Sequence, residues 1–304
     1  MCTNTTVYNR PLPSLRNIGR ELEYTTSAVS ERIAVTGARG LVGKVLTKYL
    51  KEQGHYVIEI NRTPEKDSGD GVSEQRTAEA TDYNAVKEAF RGADAVIHLA
   101  AVPDPIKRGD HVVHNVNAQS GYNALHAAGG LGIKRFVFAS SINAHGLAYS
   151  QGKIEFTSFP LDETIPPCPS DPYALSKALV ETQCASFARI YPDMRIVSLR
   201  CTELSLLKEL EPREEEEDAR WLWSWVNPSA AARAFLLAIT AGDFVGHEIF
   251  YIVAPVTDRK EPTMELIQKW WPGVPIKGDM SGTKGFFDCS KAHKMLGWVH
   301  VEQE

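Results

Sequence analysis

Apolar residues alternate between two patterns along this chain. Short apolar runs are followed by segments in which apolar residues recur at helical spacing, as Val42, Leu46 and Tyr49 do after the run at 33–35. Further runs lie at 55–60, 95–101, 135–140, 195–200 and 248–253. Strands that alternate with helices in this way predict an α/β fold, a doubly wound parallel sheet with helices on both faces.

The segments between the runs carry further expectations. Helices are predicted around Val86 and Phe90, over 117–128, from Tyr173, and over 229–240, 263–270 and 290–296. The polar residues 63–78 predict a loop, and the proline-containing 142–172 predicts a long irregular passage. The acidic 209–218 predicts a solvated loop or mobile segment. Trp221, Trp223 and Trp225 alternate as on one face of a strand, which suits either core packing or a pocket wall.

Composition narrows the class of protein. The 304 residues carry a formal net charge of −5, which gives no reason to expect nucleic acid as a partner. No apolar run approaches the ~18 residues of a membrane span, and the polar first thirty residues lack the apolar core of a secretory signal. The five cysteines are scattered and predict reduced thiols, with no metal site. We expect a cytoplasmic protein with an N-terminal extension at 1–30.

The first strand leads into a turn with three glycines, Gly37, Gly40 and Gly43, and a helix leaves it. Strand, glycine turn and helix are the context of a dinucleotide-binding Rossmann unit. Gly37 would allow the tight turn, Gly40 the approach of the pyrophosphate, and Gly43 the close packing of helix on strand. The amides at the start of that helix, from Leu41 and Val42 onward, would then hold phosphate.

The end of the second strand bears on the choice of nicotinamide cofactor. Asn61 and Arg62 occupy the place where an NAD enzyme usually carries an acidic residue for the ribose 2′-hydroxyl. An arginine there suits the 2′-phosphate of NADP, and Arg39 in the glycine turn could reach the same phosphate. Glu59 keeps NAD possible, because it shares a strand face with Asn61.

Together these motifs resemble the extended short-chain dehydrogenase/reductase family, and within it the branch of uronate dehydrogenases and sugar epimerases. The residues that carry the resemblance lie at 36–43, 98–101, 138–146, 173–177 and 290–298, so it spans nearly the whole chain. It implies a dinucleotide-binding domain over 31–203. Residues 204–304 would then be mainly a small substrate-binding region, with some segments returning to the core.

The proposed chemistry rests on Tyr173 and Lys177. A phenol with an ordinary pKa of about 10 needs a nearby positive charge to act as a base at neutral pH, and the ammonium of Lys177 and an oxidised nicotinamide would both supply one. Tyr173 is therefore the expected general acid/base. By resemblance, Ser141 would hydrogen-bond the substrate oxygen, and Asn117 would serve a structural role near the site.

These arguments predict specific contacts. The predicted cofactor-binding residues are Gly37, Arg39, Gly40, Leu41, Val42, Gly43, Asn61, Arg62, Glu79, Ala80, Leu99, Ala100, Ala101, Ser140, Tyr173, Lys177 and Cys201. The predicted substrate contacts are Val102, Ser141, Asn143, His145 and Trp225. His145 stands where relatives often carry tyrosine, and 201–204 and 226–230 also depart from the family pattern. The sugar-nucleotide substrates of the family therefore cannot be assumed.

Three functions are compatible with these residues. The first is an NADP-dependent oxidoreductase that acts on a small hydroxyl or carbonyl compound. The second is a redox-neutral epimerase or dehydratase that keeps its nicotinamide bound. The third is a non-enzymatic dinucleotide sensor, which would have no need of Ser141, Tyr173 and Lys177. The resemblance also implies a homodimer that pairs the helices near Asn117 and Tyr173 across a two-fold axis.

Overall fold

The computed structural model describes residues 30–64, 71–103, 105–106, 108–150, 152, 154–210, 213–240 and 244–301. Apart from Ser30, the predicted N-terminal extension lies outside these residues. No helix within the described ranges is long and apolar enough to cross a membrane.

The described strands form a seven-stranded parallel sheet and a separate parallel pair. The strands are β1 (Arg32–Thr36), β2 (Tyr56–Asn61), β3 (Ser73–Thr77), β4 (Ala95–His98), β5 (Arg135–Ser141), β6 (Arg195–Cys201), β7 (Glu203–Leu204), β8 (Trp225–Val226) and β9 (Gly246–Ile252). The large sheet has the order β3-β2-β1-β4-β5-β6-β9, and β7 pairs with β8. The predicted doubly wound parallel sheet is confirmed.

Helices cover both faces of the sheet. They are α1 (Leu41–Glu52), α2 (Tyr83–Ala89), α3 (Asp110–Gly130), α4 (Pro172–Ile190), α5 (Glu215–Arg220), α6 (Pro228–Thr240), α7 (Thr263–Trp270) and α8 (Ser290–Leu296). The layer of α1, α6 and α8 packs on one face, and the layer of α2, α3 and α4 on the other. Adjacent residues of β1 serve opposite layers, since Val35 belongs to the first core and Ala34 to the second. Burial on both faces explains why the central strands read as unbroken apolar runs.

Four segments differ from the sequence-based expectation. Residues 73–77, expected as loop, form the edge strand β3, whose polar side chains are tolerated because an edge strand is half solvated. Glu74 there pairs with Arg32 of β1. Helix α3 begins at Asp110, several residues before the predicted start.

The acidic segment is the third difference. Helix α5 occupies 215–220, and Asp218 within it is only 1% exposed. Arg213 and Arg259 both donate to the Asp218 carboxylate, so this acidic residue is a buried anchor. The predicted strand through Trp221 and Trp223 is also wrong, because Trp223 has a positive φ of 46° in a turn.

His98 predicts a loss of stability in acid. Its Nδ1 contacts Thr36 Oγ1 at 2.8 Å and its Nε2 contacts Ser120 Oγ at 3.0 Å. Burial, and then the charge of Lys177, lower its pKa to about 3. Below pH ~6.5 the unfolded chain therefore binds a proton that the folded chain does not, and the free energy of unfolding falls by about 1.4 kcal/mol per pH unit until the pH nears the folded pKa.

Urea unfolding of wild type and His98→Gln at pH 7.5 and near pH 5 measures this effect. We expect wild type to lose about 2 kcal/mol more than the variant between the two pH values. An equal loss in the two proteins would show that His98 does not titrate on unfolding.

Candidate active site

The glycine turn joins β1 to α1 and brings the backbone of two strand ends together. Gly37 has a φ of +68°, and a Cβ there would lie 3.1 Å from the Ala100 nitrogen beyond β4. A Cβ at Gly43 would overlap the carbonyls of Gly37 and Ala38, so only glycine lets α1 start this close to β1. Gly40 precedes the helix as its N-cap, and no side chain caps it. The first amides of α1 therefore lack both an intrahelical acceptor and a side-chain cap.

A cavity of about 750 Å³ opens beside this turn. The predicted contact residues that line it are Gly37, Arg39, Asn61, Arg62, Glu79, Ala80, Ala100, Ala101 and Val102. Four other predicted contacts do not line this cavity. The first turn of α1 contains Leu41, Val42 and Gly43, and Leu99 directly follows β4. The cavity is thus bounded by the carboxyl ends of β1, β2 and β4, where a doubly wound sheet binds ligands.

Asn61 and Arg39 form a polar wall at the β2 end of the cavity. The Arg39 backbone amide donates to Asn61 Oδ1 at 3.0 Å, and the Arg39 guanidinium donates to Thr63 Oγ1 at 2.7 Å. Asn61 Nδ2 is buried and has no hydrogen-bond partner among the described residues. A buried donor without a partner is costly unless a ligand accepts from it. The residues present therefore fit the polar end of a dinucleotide.

Glu59 does not share this wall. Its carboxylate pairs with Lys51 Nζ at 2.7 Å, and its other oxygen accepts from Gln75 Nε2 at 2.7 Å. Glu59 is 8% exposed, and both partners hold it between α1 and β3. The Glu59 carboxylate is therefore engaged away from the cavity.

Ser141, Tyr173 and Lys177 meet where β5 ends against α4. Asp171 caps α4 by accepting from the Ala174 amide at 2.8 Å, and Pro172 follows, so the helix begins just before Tyr173. The Ser141 hydroxyl is close enough to the Tyr173 phenol to lower its pKa as a hydrogen-bond partner. Lys177 Nζ donates to the Ala139 carbonyl at 2.6 Å and lies 5.5 Å from the centre of the Tyr173 ring.

Burial dominates the electrostatics of this group. It raises the pKa of Tyr173 above its ordinary value, opposed by the hydrogen bond with Ser141. It lowers the pKa of Lys177 to about 8, opposed by the charges of Cys201 and Glu181. The Tyr173 pKa is thus raised where a lowered one was expected, because burial is the largest influence on it and Lys177 is not among the groups that shift it. Tyr173 is held as the neutral phenol, ready to donate a proton.

Asn117, Ser140 and Cys201 lie beside these residues. Asn117 Oδ1 accepts from the Val102 amide at 2.7 Å, and its Nδ2 donates to Ser176 Oγ at 3.1 Å, so it ties the loop after β4 to α4. Cys201 is the last residue of β6, and it is near enough to Lys177 for each group to affect the pKa of the other. Burial raises the pKa of the Cys201 thiol to about 12.

Three predicted substrate contacts point into the interior instead. Asn143 is 1% exposed, and its Oδ1 accepts from the Ala148 amide at 2.8 Å. Trp225 is fully buried, and its indole donates to the Val256 carbonyl at 3.1 Å. His145 is 7% exposed, and its Nε2 accepts from Arg200 at 2.9 Å. These polar atoms are therefore bonded to other groups of the protein.

The residues that the sequence did not reveal lie around Tyr173. Tyr149 meets the Tyr173 ring edge-on with centroids 5.8 Å apart, and Trp221 meets Tyr149 in the same way at 5.9 Å. Glu181 and Arg200 form a buried ion pair at 2.7 Å behind Ser140. Glu181 stands four residues after Lys177, and that spacing is the signal that could have found it.

The chain is similar to proteins of known family. The sequence pattern of the NAD dependent epimerase/dehydratase family matches residues 33–237. The chain is 31% identical over 221 residues to the L-arabinose 1-dehydrogenase (NAD(P)(+)) of Haloferax volcanii, covering 69% of this chain and 83% of that protein. It is 26% identical over 249 residues to the uronate dehydrogenase of Pseudomonas syringae pv. tomato, covering 82% and 80% of the two chains.

A solved structure shares the fold. A short-chain dehydrogenase/reductase superfamily protein from Agrobacterium tumefaciens with bound NAD superposes with a TM-score of 0.66 at 23% identity, covering 90% of this chain and 93% of that one. The resemblance seen in the sequence is thereby confirmed. The glycine turn, the parallel sheet and the matched residues lead to one conclusion: the chain belongs to the NAD dependent epimerase/dehydratase family.

Proposed function

We propose that this protein is an NADP-dependent oxidoreductase that acts on a small hydroxyl or carbonyl compound through Ser141, Tyr173 and Lys177. The observation that carries the proposal is the meeting of these three side chains where β5 ends against the start of α4. Relatives named as dehydrogenases of L-arabinose and of uronates support a sugar or sugar acid as the substrate. In this account, residues 204–304 contribute mainly to substrate binding.

Tyr173, Ser141 and Lys177 would have different roles in the reaction at the substrate oxygen. When bound, the nicotinamide accepts or supplies the hydride. Tyr173 transfers the proton at the substrate oxygen, and Ser141 hydrogen-bonds that oxygen and the phenol. Lys177 favours the phenolate through its positive charge once Tyr173 has given up its proton. The ammonium would also donate to the ribose hydroxyls of the cofactor.

The proposed cofactor is NADP because of the residues at the β2 end of the cavity. Arg39 and Arg62 line the cavity there and would bind the 2′-phosphate, and Asn61 Nδ2 would be a further hydrogen-bond donor. Glu59, the residue that would favour NAD, is held by Lys51 and Gln75. The glycine turn and the first amides of α1 would hold the pyrophosphate.

A substrate panel tests the proposal. Wild type is mixed with NADP or NAD and with L-arabinose, D-glucuronate or benzyl alcohol, and the absorbance of reduced nicotinamide is followed. We expect steady reduction of NADP with at least one substrate. Conversion of a sugar without any change in absorbance would favour the redox-neutral epimerase, and binding of NADP without conversion of any compound would favour the sensor.

We also propose a two-fold dimer through α3 and α4. Gly121 of α3 lies against Val180 of α4 in the same chain, so the small residues serve packing within the subunit. The outward side of these helices carries Tyr122 and Leu175, each 47% exposed. Large exposed apolar side chains on neighbouring helices suit a C2 interface.

Light scattering at micromolar concentration tests the dimer. We expect the mass of two chains for wild type and a shift toward one chain for Leu175→Lys. Met264→Lys, which places the same charge at another residue 47% exposed on α7, is the control and should keep the wild-type mass. A wild type with the mass of a single chain would refute the interface.

A further inference from the structure

A cluster of buried polar side chains lies directly behind the proposed catalytic residues. At its centre are Glu181, 4% exposed, and Arg200, 1% exposed. The Arg200 guanidinium donates two hydrogen bonds to the Glu181 carboxylate, from Nε to Oε1 at 2.9 Å and from Nη2 to Oε2 at 2.7 Å. Such a paired contact fixes the relative orientation of the two groups as well as their distance.

Glu181 links helix α4, which carries Tyr173 and Lys177, to the end of strand β5, which carries Ser141. Tyr173, Lys177 and Glu181 follow one another at four-residue spacing and share one face of α4. The Ser140 hydroxyl donates to Glu181 Oε1 at 2.6 Å. Because Ser140 directly precedes Ser141, one carboxylate is bonded to the strand end that carries Ser141 and belongs to the helix that carries Tyr173.

Arg200 holds the other side of Ser141. Its Nη1 donates to His145 Nε2 at 2.9 Å and to the Tyr251 hydroxyl at 3.3 Å. His145 ends the 3-10 turn Ile142–His145, which begins one residue after Ser141. Burial, and then the charge of Arg200, lower the pKa of His145 to about 3, so its Nε2 accepts hydrogen bonds as a neutral ring. Ser141 is therefore held through Ser140 before it and through the turn after it.

We propose that Glu181 is a positioning residue of this site, which with Arg200 fixes Ser141 relative to Tyr173 and keeps a negative charge beside Lys177. The inference rests on the proposed function. A buried ion pair adds little net stability compared with apolar residues of the same volume. What the pair supplies here is orientation, because its hydrogen bonds link Ser140, before Ser141, and His145, after it, to helix α4.

The charge part follows from the groups that face Lys177. They are Tyr173 and Glu181 on α4, Cys201 on β6 and His98 on β4. Burial keeps the phenol and the thiol protonated and the imidazole neutral. Among these four groups Glu181 is the carboxylate, and it forms the ion pair with Arg200. Removal of this carboxylate should therefore lower the pKa of Lys177.

The first test replaces Glu181 by glutamine and titrates Lys177 by NMR of the lysine side chains, with the Lys177 signal identified from Lys177→Arg. We expect the pKa of Lys177 to fall by about one unit or more, because the carboxylate is lost and Arg200 is left uncompensated. Glu31→Gln is the matched control. It removes a carboxylate paired with Arg135 at the opposite end of the sheet, and should leave Lys177 unchanged.

The second test replaces the pair with apolar residues, Glu181→Met together with Arg200→Met, and serves also if the single variant does not fold. We expect this double variant to unfold near the wild-type temperature, to show a lowered Lys177 pKa, and to lose about 100-fold in kcat on the best substrate of the panel. Wild-type kcat, or an unchanged pKa of Lys177 in either variant, would overturn the inference.

The two proposals fail in different ways. If wild type converts no compound of the panel, the proposed function fails, while the NMR titration still decides whether Glu181 supports the charge of Lys177. If wild type is active and the double variant is equally active, Glu181 is structural and the proposed function stands.

Discussion

Replacing Tyr173 by phenylalanine is expected to reduce kcat/KM by about 100- to 10,000-fold, the usual contribution of a general acid–base group. Phenylalanine keeps the ring that packs against Tyr149 and removes only the hydroxyl that Ser141 contacts. The glycine turn and the β2 end are untouched, so the affinity for NADP should stay within about threefold of wild type, well under 1 kcal/mol. Steady-state rates and a fluorescence titration with NADPH measure the two quantities.

Tyr191→Phe is the control for this substitution. It removes a phenol hydroxyl at the other end of the same helix, where Tyr191 follows the last residue of α4. We expect its kcat/KM to equal that of wild type. If Tyr173→Phe keeps more than a tenth of the wild-type kcat/KM, Tyr173 is not the acid/base.

Replacing Arg62 by aspartate is expected to reverse the choice of cofactor. Charge-assisted hydrogen bonds contribute about 1.5–3 kcal/mol each, so contacts from Arg39 and Arg62 to the 2′-phosphate predict a preference of wild type for NADP of roughly a hundredfold or more. An aspartate at this position would accept from the 2′-hydroxyl of NAD and repel the phosphate of NADP. Titrations of both proteins with both cofactors measure the ratio.

The control for Arg62→Asp is Arg91→Asp, because it makes the same change in net charge at a surface residue that pairs with Glu88. Its ratio of affinities should remain that of wild type. Equal affinities of wild type for NAD and NADP, or an unchanged ratio in Arg62→Asp, would mean that the 2′-phosphate site is misplaced. Glu59 would then have to leave Lys51 to serve as the ribose ligand.

The central sheet could be predicted because its strands are apolar on both sides. Val35 and Ala34 of β1 enter opposite cores, and such runs have few other interpretations. The edge strand β3 could not, because its residues are polar and it is held by ion pairs such as Glu74 with Arg32. The burial of Asp218 could not be predicted for a related reason. A carboxylate buried between two arginines cannot be distinguished in the sequence from a solvated one.

The candidate site divides in the same way. The glycine turn and the Tyr173–Lys177 pair could be predicted because each is a local motif with a fixed spacing. For Glu181 the sequence offers only its four-residue spacing from Lys177, and its bonds to Arg200 and Ser140 could not be predicted, because they join different elements of the fold. The contact of His145 with Tyr251 spans 106 positions and has no local signal. His145 was expected to contact the substrate. Its bond to Arg200 in the interior becomes visible only when β6 and β9 pack behind it.

The most direct test of net hydride transfer follows a deuterium label. Wild type is incubated with NADP and with L-arabinose that carries deuterium at C1, or with the best substrate of the panel labelled at its carbinol carbon, and cofactor and product are analysed by mass spectrometry. The account predicts one deuterium in each NADPH formed and none at that carbon of the product. Deuterium that stays in the sugar, with the cofactor recovered as unlabelled NADP, would contradict it.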